Sequence, residues 1–226
     1  GYSTIFGMIN SVGQPVFREA SEDTQRLQNI FRKLMRFTAF VSFPAMLGLA
    51  IVSQELIVIS ITEKWLPCVP VMQILCVWGA FMPISTLYSN LMNSIGRPNI
   101  YMWNTIALGI FQLLCVWGSY PYGLNVMLIV YTAANIFWLL IWHYFAHKHI
   151  GISLFNTLKD IAPYLIISVA VMTFTYWVAG YVKNIYLSLL VKVALAASLY
   201  IFLMWSLKSI VFRESLQYLL KKKTIQ

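Results

Sequence analysis

Polar and charged positions are gathered into a few short stretches of this chain, and between them the sequence is apolar. Uncharged runs cover residues 1–17, 37–54, 65–96, 98–147, 161–182 and 186–207, the last interrupted by Lys192. Apolar positions inside these runs are continuous rather than alternating, which excludes a β-barrel with one wet face. A helix needs about 20 residues to cross the hydrocarbon of a bilayer. By that measure 1–17 is truncated, whereas 98–147 holds two spans. They divide at Ser119-Tyr120-Pro121-Tyr122-Gly123, a turn signal. The pattern predicts an all-α, polytopic membrane bundle of about seven segments. Pro44 and Pro83 lie deep inside predicted helices and predict kinks. Gly96 suits a left-handed cap, and Pro98 the first position of the next helix.

The stretch 18–36 differs from its surroundings. Leu27, Ile30, Phe31, Leu34 and Met35 recur at helical spacing among five basic residues. It reads either as an amphipathic helix on the inner leaflet, a linker between membrane lobes, or as a solvated loop. The expected organisation is a truncated membrane segment at 1–17, a cytoplasmic linker at 18–36, a helical bundle at 37–207 and a basic cytoplasmic tail at 208–226.

Composition identifies the solvent. Hydrophobic residues make up 60% of the 226 and charged residues 10%, with a mean hydropathy of +0.73. Soluble domains carry about 25% charged residues. A chain this apolar cannot cover a water-facing surface, so lipid surrounds it, and its backbone must satisfy itself within helices.

The formal charge is +9, but the basic residues fall between apolar segments, which points to lipid headgroups and not to nucleic acid. One set of connections holds Arg18, Arg26, Arg32, Lys33, Arg36, Arg97, Lys148, Lys159, Lys208, Arg213, Lys221, Lys222 and Lys223. The alternate set holds Lys64 and Lys183. The positive-inside rule puts the richer side, with the C-terminus, in the cytoplasm. Trp65, Trp103, Trp117, Tyr120, Tyr122, Trp142 and Tyr144 lie near predicted segment ends, where amphipathic rings anchor to the interface.

Candidate chemistry is sparse. No phosphate-binding Gly-rich loop, carboxylate pair within a segment, or nucleophile with an adjacent base occurs, so neither an enzyme nor a cofactor is expected. Cys68, Cys76 and Cys115 lack paired or metal-ligand spacing. His143 and His147 share a helix face at i, i+4 with His149 following, yet no carboxylate or thiol completes a shell. Interfacial anchoring is the reading adopted for them, and no metal is expected.

Three residues stand as substrate or cavity candidates. Glu55 reads as a solvated interfacial carboxylate or as a proton- or cation-coupling site. Arg97 reads as a topology determinant with its head at the lipid phosphates. Lys192, about 12 Å deep at 1.5 Å per residue, must have its charge offset. Its helix face holds Ile185, Ser188, Leu189, Leu195, Ala196, Leu199 and Leu203, with the small residues Ala194, Ala197 and Ser198 opposite. A Leu-rich face favours a lysine snorkelling through lipid, while a cavity-facing cation is the functional alternative.

The chain begins at Gly1, with no initiator Met and already within an apolar run. It is expected to be a fragment, or a gene that has lost its front half.

Residues 15–98 carry a succession of short motifs: Pro15-Val16-Phe17, Glu22-Asp23-Thr24, Phe43-Pro44-Ala45-Met46-Leu47-Gly48-Leu49, Glu55-Leu56-Ile57, Glu63-Lys64-Trp65, Pro70-Val71-Met72-Gln73-Ile74-Leu75 and Gly96-Arg97. In order and spacing these resemble the polysaccharide transporter family, the lipid-linked oligosaccharide flippases of colanic-acid and O-antigen type. That family shares a superfamily with multidrug-and-toxin exporters and the lipid II flippase.

The resemblance implies one C-terminal lobe of a two-lobed, alternating-access flippase in the bacterial inner membrane. Its implied cargo is an undecaprenyl-diphosphate-linked repeat unit for lipopolysaccharide, O-antigen or capsule. The implied partners are that lipid-linked oligosaccharide, membrane lipids and a missing N-terminal lobe. A multidrug exporter lobe and a truncated remnant without transport activity are the alternatives.

Overall fold

The computed structural model describes residues 17, 18, 20, 23–182 and 184–206. The segment expected at 1–17 (Phe17 apart) and the tail at 208–226 lie outside the described residues. The described residues form α1 (Thr24–Ile51), α2 (Ser53–Ser60), a 3-10 turn (Glu63–Cys68), α3 (Val69–Ser94), α4 (Pro98–Ser119), a second 3-10 turn (Tyr120–Tyr122), α5 (Leu124–Ile150), α6 (Leu154–Ala179) and α7 (Ile185–Ser206). Six helices, α1 and α3–α7, are long and apolar enough to cross a membrane. Even the 22 residues of α7 give about 33 Å at 1.5 Å per residue.

Local chemistry starts and stops these helices where polar residues interrupt the apolar runs. The Asp23 carboxylate caps α1, accepting from Gln25 N at 2.9 Å and Arg26 N at 3.1 Å. Asn184 does the same for α7, its Oδ1 accepting from Tyr186 N at 3.0 Å and Leu187 N at 3.3 Å. Gly96 has φ +73° in the α3–α4 turn, and Gly151 has φ +69° after α5, both in the left-handed region that a Cβ disfavours. Pro98 opens α4 as the sequence predicts.

Residues 24–36, read above as a linker element or a loop, are the first turns of α1 and run unbroken into the apolar part. Their apolar stripe faces the bundle: Leu27, Phe31 and Met35 are fully buried. The helix also continues through Pro44. A proline has no N–H, so the carbonyl four residues earlier, that of Phe40, loses its helical donor. Tyr200 Oη on α7 supplies a replacement at 2.8 Å.

The helices pack in the spatial order α7–α6–α1–α3–α5–α4. α1 is therefore central, gripped by α3 on one side and α6 on the other. α4 is peripheral, with Asn104 and Ser119 its buried residues. At the α1–α3 seam, Gly79 sits so close to the Met46 methyl that a Cβ there would force the Met46 side chain to move. Small residues such as Ala39, Ala80 and Ala146 are buried at these seams, as helix packing in lipid favours.

Large apolar side chains point outward, as in Trp117 (79% exposed) and Leu113. Tyr120, Tyr122, Trp65, Trp103 and Tyr144 are likewise exposed, whereas Trp142 is not an interfacial anchor. It is buried against Tyr101, with ring centroids 6.3 Å apart, because its face of α5 meets other helices.

Candidate functional site

Lys192 does not snorkel. The packed face of α7 is the four-residue series Ser188, Lys192, Ala196, Tyr200 and Met204, all buried, while Ala194, Ala197 and Ser198 are exposed. The side of the helix read above as lipid-facing is the one that packs. Lys192 is 5% exposed and Glu55 6%. The two candidates meet: Lys192 Nζ lies 2.5 Å from Glu55 Oε1.

α2 brings the carboxylate there. α1 ends at Ile51, and the short helix that follows turns Ser53, Glu55 and Ile57 inward. Glu55 is therefore a buried partner, not a solvated interfacial carboxylate.

Further groups complete the cluster. Lys192 Nζ also donates to the Ile51 carbonyl at 3.0 Å, and Ser188 Oγ donates to Glu55 Oε1 at 2.8 Å. The Tyr176 ring on α6 lies 5.3 Å from Nζ, within cation–π range. Glu55 Oε2 has no hydrogen-bond partner, so one acceptor of the pair is unused. Breaking a buried ion pair by removing one partner costs about 3–5 kcal/mol, since the other charge is left uncompensated.

Lys192 also borders a cleft of about 450 Å³ between α1 and α7, whose other walls include Pro44, Gly48, Met172, Ala196 and Tyr200. The cleft is an apolar slot with one cation in its wall.

A second ion pair lies toward the opposite end of α1. Arg32 binds Asp160 on α6 in a fork, Nε to Oδ2 at 2.7 Å and Nη2 to Oδ1 at 3.2 Å, with Arg36 Nε 3.9 Å from Oδ1. Asp160 was not among the residues singled out from sequence. It is the lone acidic residue between Glu63 and Glu214, and that isolation at the head of an apolar run was the available signal.

Arg97 does not join the Lys192 cluster. It is exposed in the α3–α4 turn, while Lys192 and Glu55 sit near the end where α1 stops and α7 starts. His143 is buried, its Nδ1 3.2 Å from Tyr88 Oη, and His147 Nδ1 lies 2.9 Å from the Ile152 carbonyl oxygen. These contacts tie helices and turns together and replace the interfacial role expected for the pair. Among the described residues, no three His, Cys, Asp or Glu side chains converge as metal ligands.

Residues 2–70 match the family described as polysaccharide biosynthesis protein. The chain is 30% identical over 110 residues to an uncharacterized membrane protein in the cps region of Klebsiella pneumoniae, covering 48% of this chain and 23% of that one. It is 31% identical over 105 residues to the lipopolysaccharide biosynthesis protein WzxC of Escherichia coli (46% and 21%). Against the teichuronic acid biosynthesis protein TuaB of Bacillus subtilis it is 25% identical over 105 residues (46% and 22%). The matched stretch thus spans less than a quarter of each relative's length. No solved structure matches the chain.

Proposed function

We propose that this chain, a member of the polysaccharide transporter family over part of its length, forms one lobe of a flippase. Its cargo is a lipid-linked polysaccharide repeat unit, carried across the bacterial inner membrane, and its C-terminus is cytoplasmic. The observation that carries this reading is the buried ammonium of Lys192 in the wall of the apolar α1–α7 cleft.

A polyprenyl-linked glycan has an anionic diphosphate and a long apolar tail. The cleft offers one cation and apolar walls, the two kinds of surface such a molecule needs. At rest, Glu55 occupies the ammonium and keeps the cleft neutral, which limits the cost of holding a charge in hydrocarbon. A diphosphate oxygen is the same class of acceptor as Glu55 Oε1, so it can take over the bond to Nζ as cargo passes. The multidrug-exporter alternative draws less support. Glu55 and Asp160 are each engaged by a basic side chain, leaving neither as an open binding group for a cationic drug.

The test uses the intact transporter in a strain lacking its own flippase. Lys192→Met paired with Glu55→Gln removes both charges without stranding either. The double variant is expected to reach the membrane at parental abundance and to lower surface polysaccharide by about tenfold or more, equivalent to about 1.4 kcal/mol. Lys192→Arg is expected to retain export. Parental export by the double variant would remove Lys192 from the transport path.

A further inference from the structure

Two tethers bracket the α1–α7 cleft. Lys192 Nζ donates to the Ile51 carbonyl at 3.0 Å at one end, and Tyr200 Oη donates to the Phe40 carbonyl at 2.8 Å at the other. They are two turns of α7 apart and more, about 12 Å at 1.5 Å per residue. Between the tethers the facing residues are small: Ala45 and Gly48 on α1, Ala196 and Ala197 on α7. Small residues on membrane helices ordinarily let two backbones close up. These do not. Among the described residues, a Cβ added at Gly48 would meet only Met172 of α6, at 3.5 Å, and no atom of α7. The small side chains therefore hold a space open instead of sealing a seam.

Size and chemistry limit what fills that space. An apolar cavity of about 150 Å³ takes one benzene ring. By that measure the cleft, at about 450 Å³, takes on the order of 18 carbons, a single chain of about three or four isoprene units. Its polar side chains are Lys192 and Tyr200, and the Tyr200 hydroxyl proton is already given to Phe40. Selecting a sugar takes side chains that hydrogen-bond its hydroxyls, and the walls hold none beyond these two. Lys192 also lies deep, about 12 Å past the Asn184 cap of α7. A resident phospholipid keeps its phosphate at the interface, and its second tail has no room in the slot. A phosphate monoester carries a charge of about −1.5 to −2 near neutral pH, more than the phosphodiester of a phospholipid.

We infer that the cleft recognises the polyprenyl phosphate carrier itself and does not read the glycan. The choice of ligand rests on the flippase reading, which it deepens. Phosphate pairs with Lys192 in place of Glu55, the first isoprene units lie between Gly48 and Ala196, and the sugars stay outside the slot. A carrier without sugar is then as good a ligand as a loaded one, and free polyprenyl phosphate competes with cargo for this lobe.

Native mass spectrometry of the full chain in micelles, titrated with defined ligands, tests this. Farnesyl phosphate, a single short isoprenoid chain with one phosphate, is expected to be retained at about tenfold lower concentration than farnesol, the scale of one charge-assisted contact. Undecaprenyl diphosphate and the same lipid bearing one N-acetylglucosamine should be retained within about threefold of each other, a difference no larger than one weak hydrogen bond gives. Lys192→Met with Glu55→Gln should bring farnesyl phosphate down to the level of farnesol. Ala197→Phe, at an exposed position on the cleft, should fill the slot and abolish retention, whereas Ala194→Phe, exposed but off the cleft, should not. Equal retention of farnesyl phosphate and farnesol, or unchanged retention by Ala197→Phe, would overturn the assignment. So would displacement of farnesyl phosphate by an equal or lower concentration of phosphatidylglycerol, which would mark the cleft as an ordinary lipid position. Retention of the glycosylated lipid at about tenfold lower concentration than the bare diphosphate, with export lost in the Lys192→Met, Glu55→Gln transporter, would sink this inference and leave the flippase standing. Equal retention of the two diphosphates with parental export in that transporter would sink the flippase reading and leave the carrier site.

Discussion

At the scale of single residues, most of what is distinctive here is a charge out of place. Lys192 and Glu55 are each expensive in a membrane, and they are tolerated because α7 and α2 bring them to 2.5 Å, with Ser188 and the Ile51 carbonyl as further partners. This predicts a specific pattern of stability. Lys192→Met alone leaves Glu55 buried and unpaired, and it is expected to cost about 3–5 kcal/mol. Adding Glu55→Met should recover most of that loss, because an apolar pair of similar volume needs no desolvation. Unfolding of the three variants in mixed micelles, followed by circular dichroism, measures the difference. A double variant no more stable than Lys192→Met would show that the two side chains are not energetically coupled.

At the scale of elements, the proline of α1 and the tyrosine of α7 form one unit. Pro44 has no N–H to donate to the Phe40 carbonyl, and Tyr200 Oη donates to that carbonyl at 2.8 Å. Tyr200→Phe in the parental chain should cost about 1 kcal/mol, the usual net value of a hydrogen bond. In a Pro44→Ala background, residue 44 regains its N–H and can itself donate to Phe40. The cost of Tyr200→Phe should then fall by more than half, and a double-mutant cycle reads this directly as a coupling energy. Additive effects would mean that the tyrosine hydroxyl does not compensate for the missing helical donor. The ion pair between α1 and α6 works differently. The Arg32–Asp160 fork joins two helices that also pack through apolar side chains, and Arg32 keeps about a third of its side chain exposed. Its contribution is therefore partly screened.

At the scale of the whole molecule, charge and fold together define two ends. Among the described residues, Arg18, Arg26, Arg32, Lys33, Arg36, Arg97, Lys148 and Lys159 lie on the side where α3 meets α4 and α5 meets α6. The other end holds Lys64. Single cysteines at Asn99 and Tyr122, in a background with the native cysteines replaced, test the orientation. The positive-inside rule expects Asn99→Cys to react with an impermeant maleimide only after the membrane is opened, and Tyr122→Cys to react in intact cells. The reverse labelling would invert the bundle. The lobe proposed above also makes a demand on its surroundings. Expressed alone in a flippase-deficient strain, the chain is expected to leave surface polysaccharide absent, and co-expression with a matching N-terminal lobe to restore it. Full restoration by the lone chain would replace the lobe by a self-sufficient transporter.

Hydropathy alone determined that the chain is helical and membrane-embedded, and it located the turns at Gly96 and at 119–123. These features follow from local causes: run length against bilayer thickness, and backbone limits at Gly and Pro. The same local reading placed Glu55 and Lys192 as separate candidates and turned the wrong side of α7 to lipid. A helical wheel records which residues share a face, but not what another helix presents to that face. Trp142 was misread for the same reason, and of the two readings of 18–36 the helix holds from Thr24 onward, with its stripe packed on the bundle; an amphipathic stripe looks alike whether it meets lipid or protein. Only tertiary structure decided that Glu55, 137 residues away in sequence, is the counter-charge that lets Lys192 face inward. Ion pairing falls off with distance in space, and a linear sequence of helices does not contain that distance until the helices pack.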